Sequence, residues 1–305
     1  MLLETLRTLA EQTVSAQVVV IDNGSSDGSA EQIGREFPDA LVLGLDSNIG
    51  FGPALNAGVA EHPAEILVFS NNDVLFEPRF VEALLDELGQ SESTVAGVLL
   101  QDADPGLIDS AGVVVDSTLL AFDYLHDLPL SAAETAAPPL GPTGGAAVVP
   151  LSVFNSVGGF DGRIFAYLED VDLALRLRAA GITCRLAAEA RAVHRHSATL
   201  GSGSKAKNRL MGWSRGYQLR RYGILRRPGS GLRALTTEVV VCTGQLLVDH
   251  NAVGISSRVR GWHAAKGLGR LEIPPDAPLA IGFIEALRRR AVRRVDSKRR
   301  GREWL

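Results

Sequence analysis

The chain has 305 residues, 46% of them hydrophobic, which is enough for one large domain with an extension or for two domains. Its net charge of -4 is unevenly divided. Residues 1–200 hold 9 Lys or Arg against 28 Asp or Glu, and residues 201–305 hold 22 against 7. Cys184 and Cys242 are isolated, which excludes a disulfide framework and CxxC metal sites and fits a reducing cytoplasm.

In chain order, residues 2–12 read as an amphipathic helix and 17–21 as a buried strand. A polar turn, Asp22-Asn-Gly-Ser-Ser-Asp-Gly28, leads to a helix over 29–37 and a strand over 40–45. The loop Asn48-Ile-Gly-Phe-Gly-Pro53 precedes a helix over 54–61. The strand Ile66–Ser70 ends in Asn71-Asn72-Asp73, and a helix follows over 79–88. This alternation predicts an α/β fold with a mostly parallel central sheet covered by helices on both faces. Residues 95–130 read as strand-rich, and the prolines of 127–143 predict a mobile loop over the site. A strand at 144–149, a short helix at 152–157, and strands at 183–187 and 192–194 follow.

Past Ser204 the character changes. Residues 209–222 are basic and aromatic, and Phe283–Val295 reads as a helix with Ile284, Leu287 and Val292 among five arginines. Such a segment suits an anionic lipid surface, or packs on the body by its apolar edge. No nucleic-acid motif accompanies the charge. The most apolar run, Ala234–Val248, is short for a span and contains Glu238 and Gln245, so a soluble or peripheral protein is expected.

The stretch richest in candidate chemistry is Phe165-Ala-Tyr-Leu-Glu-Asp-Val-Asp172, ahead of the helix-forming Leu173–Ala180. Acids at a helix start favour its positive end, and Asp172 can pair with Arg176. Three acids exceed that need, which marks Asp170 as a candidate general base. Ligands of open α/β sheets bind beyond the carboxyl ends of strands. Asp22, Asp73 and His194 stand at such ends: Asp22 as a nucleoside acceptor or an Asx turn, Asp73 as a hard ligand for Mg²⁺ or Mn²⁺ or a turn residue, His194 as a ligand or a structural histidine. There is neither a G-x-G-x-x-G nor a P-loop motif.

Several stretches together resemble the family 2 glycosyltransferases of the GT-A fold, especially bacterial rhamnosyltransferase-like members. They are Val18–Ser29, Asn48–Gly58, Ile66–Asp73, Gly144-Gly-Ala-Ala, Gly158-Gly-Phe-Asp, Leu168–Arg176 and Val193–Thr199, and they span roughly residues 1–225. The resemblance implies a catalytic domain over 1–204, with a nucleotide-binding half of about 1–100 and an acceptor half of about 101–204. Residues 205–305 would be a basic, mainly helical extension.

It further implies an inverting, metal-dependent enzyme of cell-envelope polysaccharide or glycolipid assembly. Asp170 would be the base, with Glu169 beside it. Asp22, Asn23, Asn48, Gly50, Asn56 and Asn72 would face the donor, a dTDP- or UDP-linked sugar such as rhamnose. Asp73 and His194 would hold Mg²⁺ or Mn²⁺, with His196 in reserve. Gly144, Gly145 and Asp172 would lie on the acceptor side. The hydroxyl acceptor would be a membrane-linked carrier, with the protein in the cytoplasm at the inner face of the membrane and the basic tail docking there; a homodimer stays open.

Two departures stand out. The family's DxD position reads Asn71-Asn72-Asp73, which lowers the expected metal affinity. The family's first strand and its Thr-Tyr-Asn-type turn are absent, so the chain begins in the helix that would follow them, and a sheet lacking an interior strand would expose unpaired edges. These departures keep a non-catalytic binding protein in view; a nucleotidyltransferase, without a basic glycine-rich start, is the remaining alternative.

Overall fold

The computed structural model describes residues 1–195, 204–274, Ala277 and Ile284. The chain divides into two units. The first gathers Met1–Val113, Asp123–Phe165 and Glu169–Ser197; the second gathers Val114–Phe122, Ala166–Leu168 and the described part of Ala198–Leu305.

The first unit runs α1 (Leu2–Ala10), β1 (Val19–Asp22), α2 (Ser29–Glu36), β2 (Leu41–Gly44), α3 (Phe51–Glu61), β3 (Ile66–Ser70), β4 (Val74–Phe76), α4 (Phe80–Leu88), β5 (Thr94–Gln101) and β6 (Ile108–Ser110). The hairpin β7 (Val113–Val115) and β8 (Ala121–Asp123) carries the chain into the second unit and back. The first unit then continues with β9 (Ala146–Pro150), α5 (Leu151–Ser156), α6 (Glu169–Ala179) and β10 (Cys184–His194).

The expectation of a mostly parallel sheet is corrected. The main sheet has the order β3-β9-β5-β10-β4, with β6 beside β5. Only β5 and β10 run parallel; β3–β9, β9–β5, β5–β6 and β10–β4 are antiparallel. Parallel neighbours need a crossover connection, usually a helix. β4 follows β3 after only three residues, and between β8 and β9 the chain forms just one 3₁₀ turn, Leu130–Glu134. β1 and β2 pair in parallel as a separate two-stranded sheet.

Alternation along the strands sorts the core onto two faces. Ala146 and Val148 of β9 pack with α4 through Phe80, Leu84 and Leu88. Ala147 and Val149 face Phe154 of α5, Leu173 and Leu177 of α6, and Leu55 and Val59 of α3. Phe69, Phe154 and Phe160 form a trio on that face, with ring centroids 5.5, 5.6 and 5.7 Å apart. The connection over 127–143, expected as a mobile loop, is instead tied down by backbone hydrogen bonds, Leu130 to Gly106 and Leu140 to Val113. Leu140 is buried, which fixes its far end.

The second unit contains α7 (Lys205–Arg221), α8 (Ser230–Val248) and α9 (Val253–Ala264). α7 and α9 cross closely because Gly216 leaves no Cβ to overlap the Arg258 backbone. Arg215 of α7 is buried and donates to Glu238 of α8 and to the carbonyls of Thr118 and Leu119. Arg258 of α9 donates to the other oxygen of Glu238 at 2.7 Å. The helix expected over Phe283–Val295, and His196, lie outside the described residues apart from Ile284.

Candidate active site

The register puts several strand ends together. Ser70 of β3 pairs with Ala146 of β9, and His194 of β10 pairs with Gln101 of β5 and Val74 of β4. The turn Asn71–Asp73, the Gly144-Gly145 step and His194 therefore share one end of the main sheet.

Asp170 is half-buried in the first turn of α6, where its Oδ1 accepts the Val171 N–H at 2.8 Å. It lines a cleft with Pro142, Thr143, Gly144 and Phe160. Burial raises its pKa, the backbone N–H groups of Val171 and Gly144 oppose that, and the charge of Asp123 adds to it; the result is about 6. Glu169 is buried beside it, and its Oε2 has no hydrogen-bond partner. Burial first, and then the charge of Asp170, raise Glu169 to about 8. Both carboxyls are thus pushed upward and Glu169 the further, so Asp170 is the one that gives up its proton more readily, as a base must.

Gly144 and Gly145 link Asp170 to the Asn71–Asp73 turn. Gly144 reaches Asp170 through its backbone, and Gly145 lies against the Asn71 amide, whose nitrogen would be 3.0 Å from any Cβ there. The buried Asn71 Oδ1 is without a hydrogen-bond partner. Asn72 gives its carbonyl to the Thr5 hydroxyl at 3.1 Å.

Asp73 and His194 meet, with Nε2 3.4 Å from the carboxylate. The opposite nitrogen, Nδ1, lies 2.8 Å from Asp109. Burial alone would lower the His194 pKa, but Asp109 and Asp73 outweigh it and raise it to about 9. Asp109 in turn lies 3.4 Å from His126, whose other nitrogen lies 3.4 Å from Asp127.

Both nitrogens of His194 face carboxylates, Nε2 towards Asp73 and Nδ1 towards Asp109, and these acids favour its protonated form. No three His, Cys, Asp or Glu side chains among the described residues are grouped to hold a metal ion. The oxygen donors on the Asn71–Asp73 turn, the Asp73 carboxylate and the orphaned Asn71 Oδ1, do suit Mg²⁺ or Mn²⁺, which take one or two protein ligands and fill their shell with water and substrate phosphate.

The donor-side residues form a braced loop. Asp22 Oδ1 accepts the Ser25 N–H three residues on at 2.9 Å, which braces the turn after β1. Asn23 accepts from the Ile49 N–H and donates to Asn48 and the Gly50 carbonyl. Gly50, at φ 101°, has Phe165 backbone where a Cβ would stand. Asn56 sits apart from these: its amide donates to the Phe160 carbonyl and accepts the Phe160 N–H, both at 2.9 Å, so it brackets the Gly158–Asp161 turn.

Asp172 is corrected from an acceptor-side residue to a structural one. Its side chain is 0% exposed and pairs with Arg176 at 2.8 Å, which also donates to the Val157 carbonyl. A fully buried ion pair cannot reach a ligand.

Sequence reasoning missed Asp109, His126, Asp123 and Thr143. Asp109 lies in a three-residue strand too short to show periodicity, and Asp123 reads as the end of an apolar run.

Sheet order, helical layers and strand-end carboxylates together define a GT-A glycosyltransferase fold. Among solved structures it is similar to the mannosyltransferase PcManGT of Pyrobaculum calidifontis, in complex with GDP-Man and Mn²⁺ (19% identity, TM-score 0.52, 94% of this chain and 76% of that one). It is also similar to GalNAc-T7 with UDP, GalNAc and Mn²⁺ (12%, 0.57, 85% and 51%).

The family description Glycosyl transferase family 2 matches residues 1–108, and Glycosyl transferase family group 2 matches 111–256. The chain belongs to glycosyltransferase family 2. It is 32% identical over 206 residues to the N-acetylglucosaminyl-diphospho-decaprenol L-rhamnosyltransferase of Mycobacterium tuberculosis, a match covering 59% of this chain and 66% of that protein, just under two thirds of its length. The O-antigen biosynthesis protein RfbC of Myxococcus xanthus is 29% identical over 212 residues, 64% of this chain and 16% of that one.

Proposed function

We propose that the chain transfers a sugar, L-rhamnose, from a nucleoside-diphosphate donor to a hydroxyl of a lipid-diphosphate-linked sugar, with inversion, in cell-envelope polysaccharide assembly at the cytoplasmic face of the membrane. Donor binding falls to about residues 1–100 and acceptor binding to about 101–204. The named activity of the mycobacterial relative supports the choice of sugar and acceptor. The single observation that carries the chemistry is the Asp170 carboxylate in the first turn of α6, set in a cleft with Thr143, Gly144 and Phe160.

In this mechanism the Asp170 carboxylate accepts the proton of the acceptor hydroxyl. The acceptor oxygen bonds to the anomeric carbon as the bond from that carbon to the diphosphate oxygen breaks, and the nucleoside diphosphate leaves with the bonding pair. Neutral Glu169 keeps a second negative charge away from the incoming oxygen. His194, held between Asp73 and Asp109, fixes the carboxylate nearest the diphosphate. A divalent cation bound by Asp73 and Asn71 would supply positive charge to the leaving diphosphate.

The test is transfer from dTDP-, UDP- and GDP-linked sugars to a polyprenyl-diphosphate N-acetylglucosamine, with the product linkage read by NMR. Inverted rhamnoside from the dTDP donor is expected. A retained linkage, or no turnover of any nucleotide sugar, contradicts the reading.

A further inference from the structure

α8 is inside out. At 100° per residue, Leu232, Leu235, Val239, Val240, Leu246 and Leu247 fall within a stripe of about 140°, joined only by Thr236 and Thr243. That stripe faces outward: Leu232 is 72% exposed, Leu235 54%, Val239 58% and Leu247 70%. The buried side is the more polar one. It contains Gly231, Ala234, Thr237, Val241 and Gln245, the last bonded to Asn208 of α7, and Glu238 is held there between Arg215 and Arg258. A helix facing water shows the opposite arrangement. A surface this apolar and continuous marks an interaction site.

The occupant is identified by charge. Residues 204–274 hold 13 Lys or Arg against 3 Asp or Glu. Exposed Arg226 and Arg227 lie just ahead of the helix, and exposed Arg233 borders the stripe. Apolar side chains flanked by exposed arginines match the boundary between acyl chains and anionic headgroups. α8 is also long and apolar enough to cross a membrane. Its polar side, however, is bonded to α7 and α9, which fits a helix lying in the interface. We propose that α8 docks this unit onto an anionic lipid bilayer, with the Leu232–Leu247 stripe inserted among the acyl chains and Arg226, Arg227 and Arg233 on the headgroups. This surface belongs to a different stretch of the sequence from the basic run after residue 274 and does not depend on the sugar transferred.

The test uses the full chain with vesicles of phosphatidylcholine containing 30% phosphatidylglycerol. Cosedimentation of the wild type is expected, with binding to pure phosphatidylcholine at least tenfold weaker. V239E/L247E, altered only at exposed positions, is expected to lose at least tenfold in binding to the mixed vesicles while keeping its rate of nucleotide-sugar hydrolysis. In a Cys242→Ser background, an environment-sensitive dye on L247C is expected to shift to the blue when vesicles are added. Absence of wild-type sedimentation overturns the proposal, as does equal binding by the variant. A wild-type dimer that V239E/L247E converts to monomer, without vesicle binding, assigns the stripe to a second copy instead. A dye already blue-shifted without vesicles, and unmoved by them, assigns it to the chain's own C-terminal residues.

Discussion

Asp170 and Glu169 are neighbours whose carboxyls burial raises to different extents, and each carries its own prediction. Asp170→Asn should lower turnover by about 10²–10⁴-fold, the usual worth of a general base, with the donor KM little changed. Wild-type kcat/KM should rise with pH through about 6 as Asp170 loses its proton. Because Asp123 contributes to the raised value, Asp123→Asn should move that limb to lower pH, which a pH–rate profile reads directly. Glu169 acts on stability. Its folded pKa, about 8, lies above the ordinary 4.5, so between those values the folded state holds more protons than the unfolded one. Stability should therefore fall as pH rises across that window, and Glu169→Gln should flatten the fall in thermal melts taken from pH 5 to 8. Asp170 was legible in the sequence because three acids at one helix start exceed what capping needs. The protonation of its neighbour was not, because it depends on burial, which only the packing of Glu169 under the sheet decides.

Within α6 the three acids divide their work. Asp170 lines the cleft, Glu169 is buried beside it, and Asp172 pairs with Arg176 and anchors the helix to the end of α5. Removing one partner of a buried pair costs about 3–5 kcal/mol, so Asp172→Ala should lower the unfolding free energy by that amount, read as a lower urea midpoint at unchanged m-value. Asn56 of α3 holds the Phe160 turn by two hydrogen bonds, and Asn56→Ala should cost about 1–3 kcal/mol. Most elements announced themselves by periodicity: β3 spans the same residues as its predicted strand, and α1, α2 and α4 differ only at their ends. Strand direction did not, since β4 and β9 are placed by pairing partners far away in the sequence. The hydrogen bonds by which Asn23 and Asn56 also brace neighbouring loops were not legible, because they depend on partners that only the folded geometry brings close.

Across the chain the charge division has a structural counterpart. The acidic part carries the sheet and the strand-end carboxylates, and the basic part carries the inverted helix α8. The sequence located the basic part and read Phe283–Val295 as a helix for a lipid surface or for packing on the body; the apolar face of α8 escaped notice because composition alone does not say which side of a helix is buried. Metal should matter in proportion to the single carboxylate on the Asn71–Asp73 turn: EDTA should abolish transfer, and Asp73→Ala should raise the Mn²⁺ concentration needed for half-activity at least tenfold. The account rests most heavily on one proton leaving the acceptor for Asp170. Single-turnover transfer with saturating donor and acceptor at pH 7.5, comparing wild type with Asp170→Asn at equal folded fraction, measures that step. A loss of about 10²-fold or more is expected; a rate within threefold of wild type contradicts the assignment.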